Sequence, residues 1–183
     1  SQISSLTTQQ ISSLSAEQLA GIETRDFGAL SAAQLNAISL DKMDDLSNAQ
    51  IAAISTTAIR NLSTDAIQVL SGDQINALLS SQLMSLQAKQ VQALSSVQIR
   101  ALEVADYKAL TATQVSAFTS DQINAMESAD LQALSATQIR SFTTAQVAGL
   151  STDQVRALTS TQVAALTNSQ IKALTSDQLN ALE

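Results

Sequence analysis

The stretch that decides the fold is ALTSTQVAALTNSQIKALTSDQLNAL, residues 157–182, in which Leu recurs every eight residues. Thr follows Leu158, Leu166 and Leu174, and Gln comes three residues after each Thr. If Leu is counted as position one, the same frame extends back to Leu6 without insertion or deletion and gives 22 complete octapeptides. Repetition at a fixed short period indicates an array of small structural units.

The other columns of the octapeptide are nearly as regular as the first. Position two is Ser or Thr in 17 of 22 octapeptides, position five is Gln in 16 of 22, and position six is apolar in all 22. Position eight is Ala, Gly or Ser in 19 of 22, whereas positions three, four and seven vary and are mostly polar. The consensus is therefore Leu-[Ser/Thr]-x-x-Gln-[Ile/Val/Leu]-x-Ala.

A continuous helix or a strand does not suit a period of eight. Eight residues at about 100° each rotate the apolar stripe by roughly 80° per repeat, so the stripe of one long helix could not face a single core. Positions one and six have opposite strand parity, and Ala, Leu and Gln favour helices over strands. The period therefore indicates short, separate helices.

The consensus has the features of a helix start in every octapeptide. Ser or Thr followed three residues later by Gln is a capping box, and the apolar residues at positions one and six form a hydrophobic staple around it. The most regular predicted cap pairs are Ser151 with Gln154, Thr159 with Gln162, Thr167 with Gln170, and Thr175 with Gln178.

The charged residues agree with this frame, which was set by the apolar residues alone. Position four, near the predicted helix start, holds seven acidic residues: Glu17, Asp41, Asp65, Asp73, Asp121, Asp153 and Asp177. Position seven, near the predicted end, holds six of the nine basic residues: Arg60, Arg100, Lys108, Arg140, Arg156 and Lys172. The helix dipole favours acids at the start of a helix and bases at its end.

We predict an all-α fold, an α-solenoid or superhelix of about 22 helices, one per octapeptide, each of about seven residues. Such helices are shorter than the ~12–15 residues that are marginally stable alone, so each must pack against its neighbours. Most junctions lack Gly, which predicts tight corners without loops. Residues 1–183 are predicted to form one continuous array, which either belongs to a longer array or stacks end to end with other copies.

Composition excludes several classes of function. The chain has no Cys and no His, which rules out a disulfide framework, a Cys/His zinc site and a nucleophile–His pair. The formal net charge of −7, without a basic cluster, argues against nucleic-acid binding. No apolar run approaches the roughly 20 residues that span a bilayer, so we do not expect a membrane-inserted protein. Because a nucleophile–His pair is impossible, we also do not expect an enzyme.

Three octapeptides replace both cap residues with acids. The pairs are Glu23 with Asp26, Glu103 with Asp106, and Glu127 with Asp130. One interpretation is an alternative helix cap, with Asp at the third helical position and Glu outside the helix. The other is a carboxylate pair that binds Ca²⁺ or a neighbouring chain, although two carboxylates fall short of the 6–8 oxygens that Ca²⁺ prefers.

Residues 38–90 are the least regular part of the array. Lys42, Ala58 and Ala66 occupy the Gln column there, and Leu79 and Gln87 occupy the Ser/Thr column. This irregularity has two alternative explanations. One is sequence drift, and the other is a bend or docking site in this part of the array. The four aromatic residues fall in apolar columns and are predicted to be core residues: Phe27, Tyr107, Phe118 and Phe142.

The run TDQVRALTSTQVAALTNSQIKAL, residues 152–174, resembles octapeptide arrays of very large secreted or surface-exposed bacterial proteins, which are similar to repeat-rich adhesins exported by type I secretion. The resemblance covers the whole chain and carries no catalytic residues. It implies an extracellular or cell-surface location and a structural or adhesive role.

Two functional hypotheses follow. The first is a rod, stalk or filament segment that continues in, or associates with, the same array. The second is a solenoid binding module that presents positions three, four and seven to a protein or glycan.

Overall fold

The computed structural model describes residues 2–182, and within these residues every regular element is helical. A single 3-10 turn, Ile3–Ser5, precedes 22 α-helices, one for each octapeptide. The predicted all-α solenoid of short helices is therefore confirmed. The helices form two compact units, one that ends at Ala93 and one that begins at Leu94.

In the first unit, helices α1–α11 are Thr8–Ser12, Ala16–Ala20, Thr24–Phe27, Ala32–Leu35, Leu40–Met43, Asn48–Ala53, Thr56–Arg60, Thr64–Gln68, Gly72–Asn76, Ser80–Ser85 and Ala88–Ala93. In the second unit, helices α12–α22 are Ser96–Ala101, Val104–Ala109, Ala112–Ala117, Ser120–Ala125, Ser128–Ala133, Ala136–Arg140, Thr144–Ala148, Thr152–Ala157, Ser160–Ala165, Asn168–Ala173 and Ser176–Asn180.

The helices contain four to six residues, fewer than the seven predicted. The reason is that positions one and two both leave the helical conformation. Leu158, which ends α19, has φ −60° and ψ 134°, and Thr159, which caps α20, has φ −71° and ψ 157°. These two extended residues make the corner, and no described residue has a positive φ. The prediction of tight corners without left-handed residues is thus confirmed.

Each helix packs mainly against the helix three octapeptides away along the chain. In the first unit α4 contacts α1 and α7, and in the second unit α16 contacts α13 and α19. The expectation that each helix packs against neighbouring helices is therefore confirmed, and the neighbour is the third helix along the chain, because the corners turn successive helices away from each other. Most of the packing is therefore between helices of adjacent turns, and not between helices that follow each other along the chain.

The core of both units consists of the side chains at positions one and six. In α6, Ile51 at position six is fully buried, and Ile54 at the following position one is 3% exposed. The four predicted aromatic core residues are all buried: Phe27, Tyr107, Phe118 and Phe142. Among the helices within residues 2–182, none is both long and apolar enough to cross a membrane.

Candidate functional site

The position-five Gln residues are buried beside this apolar core, although Gln is ordinarily an exposed residue. Gln154 shows how the sequence places them. The Gln154 Oε1 accepts a hydrogen bond from the Ser151 backbone N–H at 3.1 Å, and the Ser151 Oγ accepts from the Gln154 backbone N–H at 3.1 Å. This reciprocal pair is a capping box that holds the Gln side chain against the start of its own helix.

The other cap pairs singled out in the sequence have the same geometry. The Gln Oε1 accepts from the cap N–H at 2.9 Å for Thr159 and Gln162 and at 2.8 Å for Thr167 and Gln170. In the last described helix, α22, the distance between Thr175 N and Gln178 Oε1 is also 2.8 Å. The cap therefore uses the carbonyl end of each Gln amide and leaves its NH₂ group for another partner.

The NH₂ group of the same side chain bonds to the preceding turn of the solenoid. The Gln146 Nε2 lies 2.6 Å from the Phe118 carbonyl oxygen, 3.3 Å from that of Val115 and 3.2 Å from that of Ser116. We call this set of hydrogen bonds, from one position-five side chain to carbonyl oxygens of the preceding turn, a turn joint. Within each unit, Gln joints are made by Gln34, Gln50, Gln74, Gln82, Gln90, Gln122, Gln138, Gln146, Gln154, Gln162, Gln170 and Gln178.

The turn joint satisfies polar groups on both sides. Its acceptors lie 28 to 31 residues earlier, at the end of a helix, where carbonyl oxygens have no partner within their own helix. One turn of the solenoid therefore takes between three and four octapeptides. Gln146 is only 4% exposed, and both ends of its amide are hydrogen-bonded, which makes its burial tolerable. Gln10 and Gln18, in the first described turn, make the cap but are exposed.

Sequence reasoning assigned Gln to the cap and missed the turn joint. One signal could have revealed it. A capping box accepts Glu as well as Gln at its third helical position, yet none of the 22 octapeptides has Glu at position five. A carboxylate can accept the cap N–H but cannot donate to a carbonyl oxygen, so the absence of Glu indicates that a side chain of this length must be a donor. Asp, which occupies the position three times, is shorter by one methylene.

The octapeptides without Gln at position five show which of the two Gln roles, the cap or the turn joint, each replacement residue keeps. Lys42 makes a turn joint, because its Nζ donates to the Leu14 carbonyl oxygen at 2.8 Å, 28 residues earlier. Ser39, the cap of that helix, makes no side-chain cap bond, and its buried Oγ has no partner among the described residues. Ala58 does the reverse, since it keeps the cap bond from its backbone N–H to the Ser55 Oγ and its methyl side chain has no donor.

Two of the three acidic pairs form the alternative cap. The Asp106 Oδ2 accepts from the Glu103 backbone N–H at 3.0 Å, and the Asp130 Oδ2 accepts from the Glu127 backbone N–H at 2.9 Å. Both Asp side chains are buried, and this burial raises the pKa of each carboxyl, with the nearby Glu adding to the increase. The sequence thus placed the Asp residues correctly within the cap but did not predict their burial.

The third pair, Glu23 with Asp26, is arranged differently. Glu23 caps α3 without a side-chain cap bond, and the buried Asp26 Oδ1 has no hydrogen bond among the described residues. Arg25 Nε lies 3.5 Å from that oxygen, which makes an ion pair but not a hydrogen bond. Within residues 2–182, no group of three or more acidic residues is arranged to hold a metal ion. Ca²⁺ binding by the acidic pairs stays a prediction.

Tyr107 lies in the core between acidic residues of two turns. Its side chain is fully buried, and its hydroxyl donates to the Ile99 carbonyl oxygen at 2.6 Å. Burial raises the pKa of the Tyr107 hydroxyl far above its usual value, and the charges of Asp130, Asp106 and Glu127 add to the increase. Tyr107 is therefore a neutral hydrogen-bond donor, and sequence reasoning had treated it only as an apolar core residue.

The octapeptide units, their caps and their turn joints define the class of this protein as a helical repeat protein. The family comparison agrees: the model of the ALTTAQ repeat matches five times, at residues 19–56, 43–80, 98–126, 123–160 and 155–183. The chain belongs to the ALTTAQ repeat family. No curated protein matches the chain.

Proposed function

We propose that this chain is a structural spacer, a rod or stalk segment of a bacterial extracellular or cell-surface protein. The observation that carries the proposal is the repetition of one turn joint. From Gln138 to Gln178, every octapeptide bonds to the preceding turn through the same amide and the same carbonyl positions. An array in which each unit makes the same contact gains length with each added unit, and its stability is approximately a sum over units and their interfaces.

The proposed surface location rests on the resemblance to secreted octapeptide arrays. The absence of Cys and the excess of acidic over basic residues are compatible with it. The proposal assigns the segment no catalytic role, because each position-five Gln described above serves a cap or a turn joint. Protease treatment of intact source cells tests the location. Rapid cleavage of the segment on intact cells is expected, and protection until the cells are lysed would contradict it.

Exposed apolar side chains on the last described helices suggest that the partner is another turn of the same array. Ile171 and Leu179, at position six of α21 and α22, are 37% and 44% exposed, whereas Val155 two octapeptides earlier is fully buried. A further turn of the same array, from the same chain or from a second copy, would cover these side chains as the later turns cover Val155. We therefore propose that the array continues or associates end to end.

A solenoid binding module is the second candidate. Positions three, four and seven are largely exposed and would form its contact surface, as in α19, where the Asp153 and Arg156 side chains pair at 3.0 Å and remain exposed. Strong protein interfaces concentrate Trp, Tyr and Arg in buried anchor sites, and the chain has no Trp and its only Tyr is buried. This composition favours the spacer.

Deletion of whole turns distinguishes the two candidates. Removal of residues 119–174, seven octapeptides or about two turns, preserves the frame of the consensus and the spacing of the turn joints. For a spacer we expect the maximum dimension from small-angle scattering to decrease while the shortened chain stays folded and the parent protein stays attached to its surface. A binding module would lose attachment at unchanged expression.

A further inference from the structure

One position-five residue in the second unit, Asp130, differs chemically from those around it. In the octapeptide that follows, the Gln138 amide donates to the Tyr107 and Leu110 carbonyl oxygens, each at 2.8 Å. Asp130 occupies the same column one octapeptide earlier and is only 7% exposed. Its carboxylate is shorter than Gln by one methylene and, when charged, has no hydrogen to donate.

Tyr107 supplies part of what Asp130 lacks. The Tyr107 hydroxyl donates to the Ile99 carbonyl oxygen at 2.6 Å. Ile99 lies 31 residues before Asp130, which is the spacing at which Gln138 reaches Tyr107 and Gln154 reaches Ile123. The Ile99 carbonyl oxygen, which also accepts from the Leu102 backbone N–H at 3.3 Å, therefore gains its second donor from a tyrosine within the stack, and the carboxylate of Asp130 occupies the column where a neutral amide is usual.

The charged side chains on the elements around this carboxylate include both acids and bases. Glu127, on its own octapeptide, acts on Asp130 directly, and Asp106 and Glu127 act with Asp130 on Tyr107. The charged and titratable side chains carried by the two helices that pack against α16, with their caps, are Glu103, Asp106, Tyr107 and Lys108 on α13, and Asp153 and Arg156 on α19. Asp153 and Arg156 pair with each other at the surface, and neither described ion pair includes Asp130.

The effect of pH follows from burial and from Glu127. Burial and the Glu127 charge disfavour the charged carboxylate by more than the hydrogen bond from the Glu127 backbone N–H favours it, so the pKa of Asp130 in the folded chain lies above that of the unfolded chain. A raised carboxyl pKa means that the folded state binds the proton more tightly. This contribution to stability is fully present below the unfolded pKa, near 3.9 for Asp, and is lost as pH rises through the folded pKa.

We propose that the contact between turns at Asp130 is a proton-responsive joint, which tightens as the surroundings become acidic and loosens as the pH rises. The joints made by Gln amides do not titrate, so this contact differs from the Gln joints on either side of it. The inference concerns the array itself and does not depend on the spacer role. A surface segment with such a joint would be stiffer at this contact in acidic surroundings.

The direct test is an NMR titration of the side-chain carboxyl carbons in the full chain. We expect the pKa of Asp130 to be higher in the folded chain than in the same chain unfolded in urea. A folded-state pKa of Asp130 equal to or below its unfolded value would overturn the proposal. This measurement uses the unmodified protein and requires no variant to fold.

Stability measurements on Asp130→Asn provide the second test. Asn keeps an oxygen for the Glu127 N–H but carries no charge, so at about pH 7 the variant is expected to have a lower unfolding constant than the original chain, by about tenfold for each unit by which folding raises the pKa. The advantage should shrink toward about pH 4. Gln138→Asn, which shortens the side chain of the neighbouring joint without changing any charge, is the matched control, and its ratio should not change with pH. A ratio for Asp130→Asn that is independent of pH would contradict the proposal.

Discussion

The turns at residues 138–178 and those at residues 42–66 solve the same packing problem with different side chains. In the first group, Gln both caps its own helix and donates to the preceding turn. In the second group, Lys42 donates to the preceding turn while Ser39 loses its cap bond, and Ala66 keeps only the cap bond to Ser63. The comparison shows that cap and turn joint are separable functions, which the Gln side chain combines because an amide has an acceptor at one end and a donor at the other.

The largest effect should come from converting a regular joint into one without a donor. Gln146→Glu keeps an oxygen for the Thr143 N–H but places a buried negative charge against the carbonyl oxygens of Val115 and Phe118. We expect a loss of about 3–5 kcal/mol in the free energy of unfolding, measured by urea denaturation followed by circular dichroism.

The control for this variant is Gln18→Glu. Gln18 makes the same cap with Ser15 but is exposed, and its change should stay within about 0.5 kcal/mol. Equal losses in the two variants would mean that the cap, and not the turn joint, is the source of stability.

The next effect concerns the closeness of two turns at Gly28. A Cβ added to Gly28 would lie 2.6 Å from the Ala53 carbonyl oxygen on the helix of the next turn. Because backbone must move to relieve this contact, Gly28→Ala should cost about 1–3 kcal/mol in urea denaturation. At Gly21 the nearest atom is a carbonyl oxygen of its own helix at 3.3 Å, and Gly21→Ala should instead stabilise by about 0.4–1 kcal/mol. A neutral Gly28→Ala would show that the turns can separate freely.

A smaller effect is expected at the hydroxyl that replaces an amide. Tyr107→Phe keeps the ring in the core but removes one of the two donors to the Ile99 carbonyl oxygen, the other being the Leu102 backbone N–H, which should cost about 1 kcal/mol. Hydrogen exchange of the α12 and α13 amides localises the loss to this contact. An unchanged exchange rate there would contradict the role given to the hydroxyl.

The same pair can be tested as a unit in a double-mutant cycle. Tyr107→Val restores the consensus at position six, and Asp130→Gln restores it at position five. Each variant alone leaves the other non-consensus residue in place. Together they should recreate a Gln joint, so their effects on the free energy of unfolding should be non-additive by about 0.5–3 kcal/mol. Additive effects would mean that Tyr107 and Asp130 do not depend on each other.

The smallest effect should come from the lysine joint. Lys42→Ala removes the half-exposed bond to the Leu14 carbonyl oxygen and should cost about 1 kcal/mol. Lys42→Gln should be neutral or stabilising in the same urea denaturation experiment, because a Gln can bond to Leu14 and also cap at Ser39. If both variants were equally destabilised, the Nζ hydrogen bond would not be the relevant feature of Lys42.

Much of the fold was predictable because helix initiation is a local event. The cap, the box and the staple all lie within one octapeptide, so Ser151, Gln154 and Val155 together indicate where α19 begins. The predicted helix length was too great because the corner uses two extended residues, and the sequence pattern does not distinguish a one-residue corner from a two-residue corner.

The candidate site was only half predictable. Gln154 was placed at the cap from its distance to Ser151, but its bonds to Ile123 and Met126 were not foreseen. The lack of Glu at position five was an available signal for the second role. Nothing in the local sequence indicated that Tyr107 compensates for Asp130, because these residues belong to different helices and meet only when the turns stack.

The sequence by itself determined that this protein is a series of short capped helices, because each octapeptide holds the hydrogen-bonding and apolar groups that start a helix. Only the tertiary structure decided which helices lie side by side and what the Gln amides hold together. The physical reason is the distance involved. The turn joint connects residues 28 to 31 apart, a separation that is not a multiple of eight and is set by how sharply each corner turns the chain.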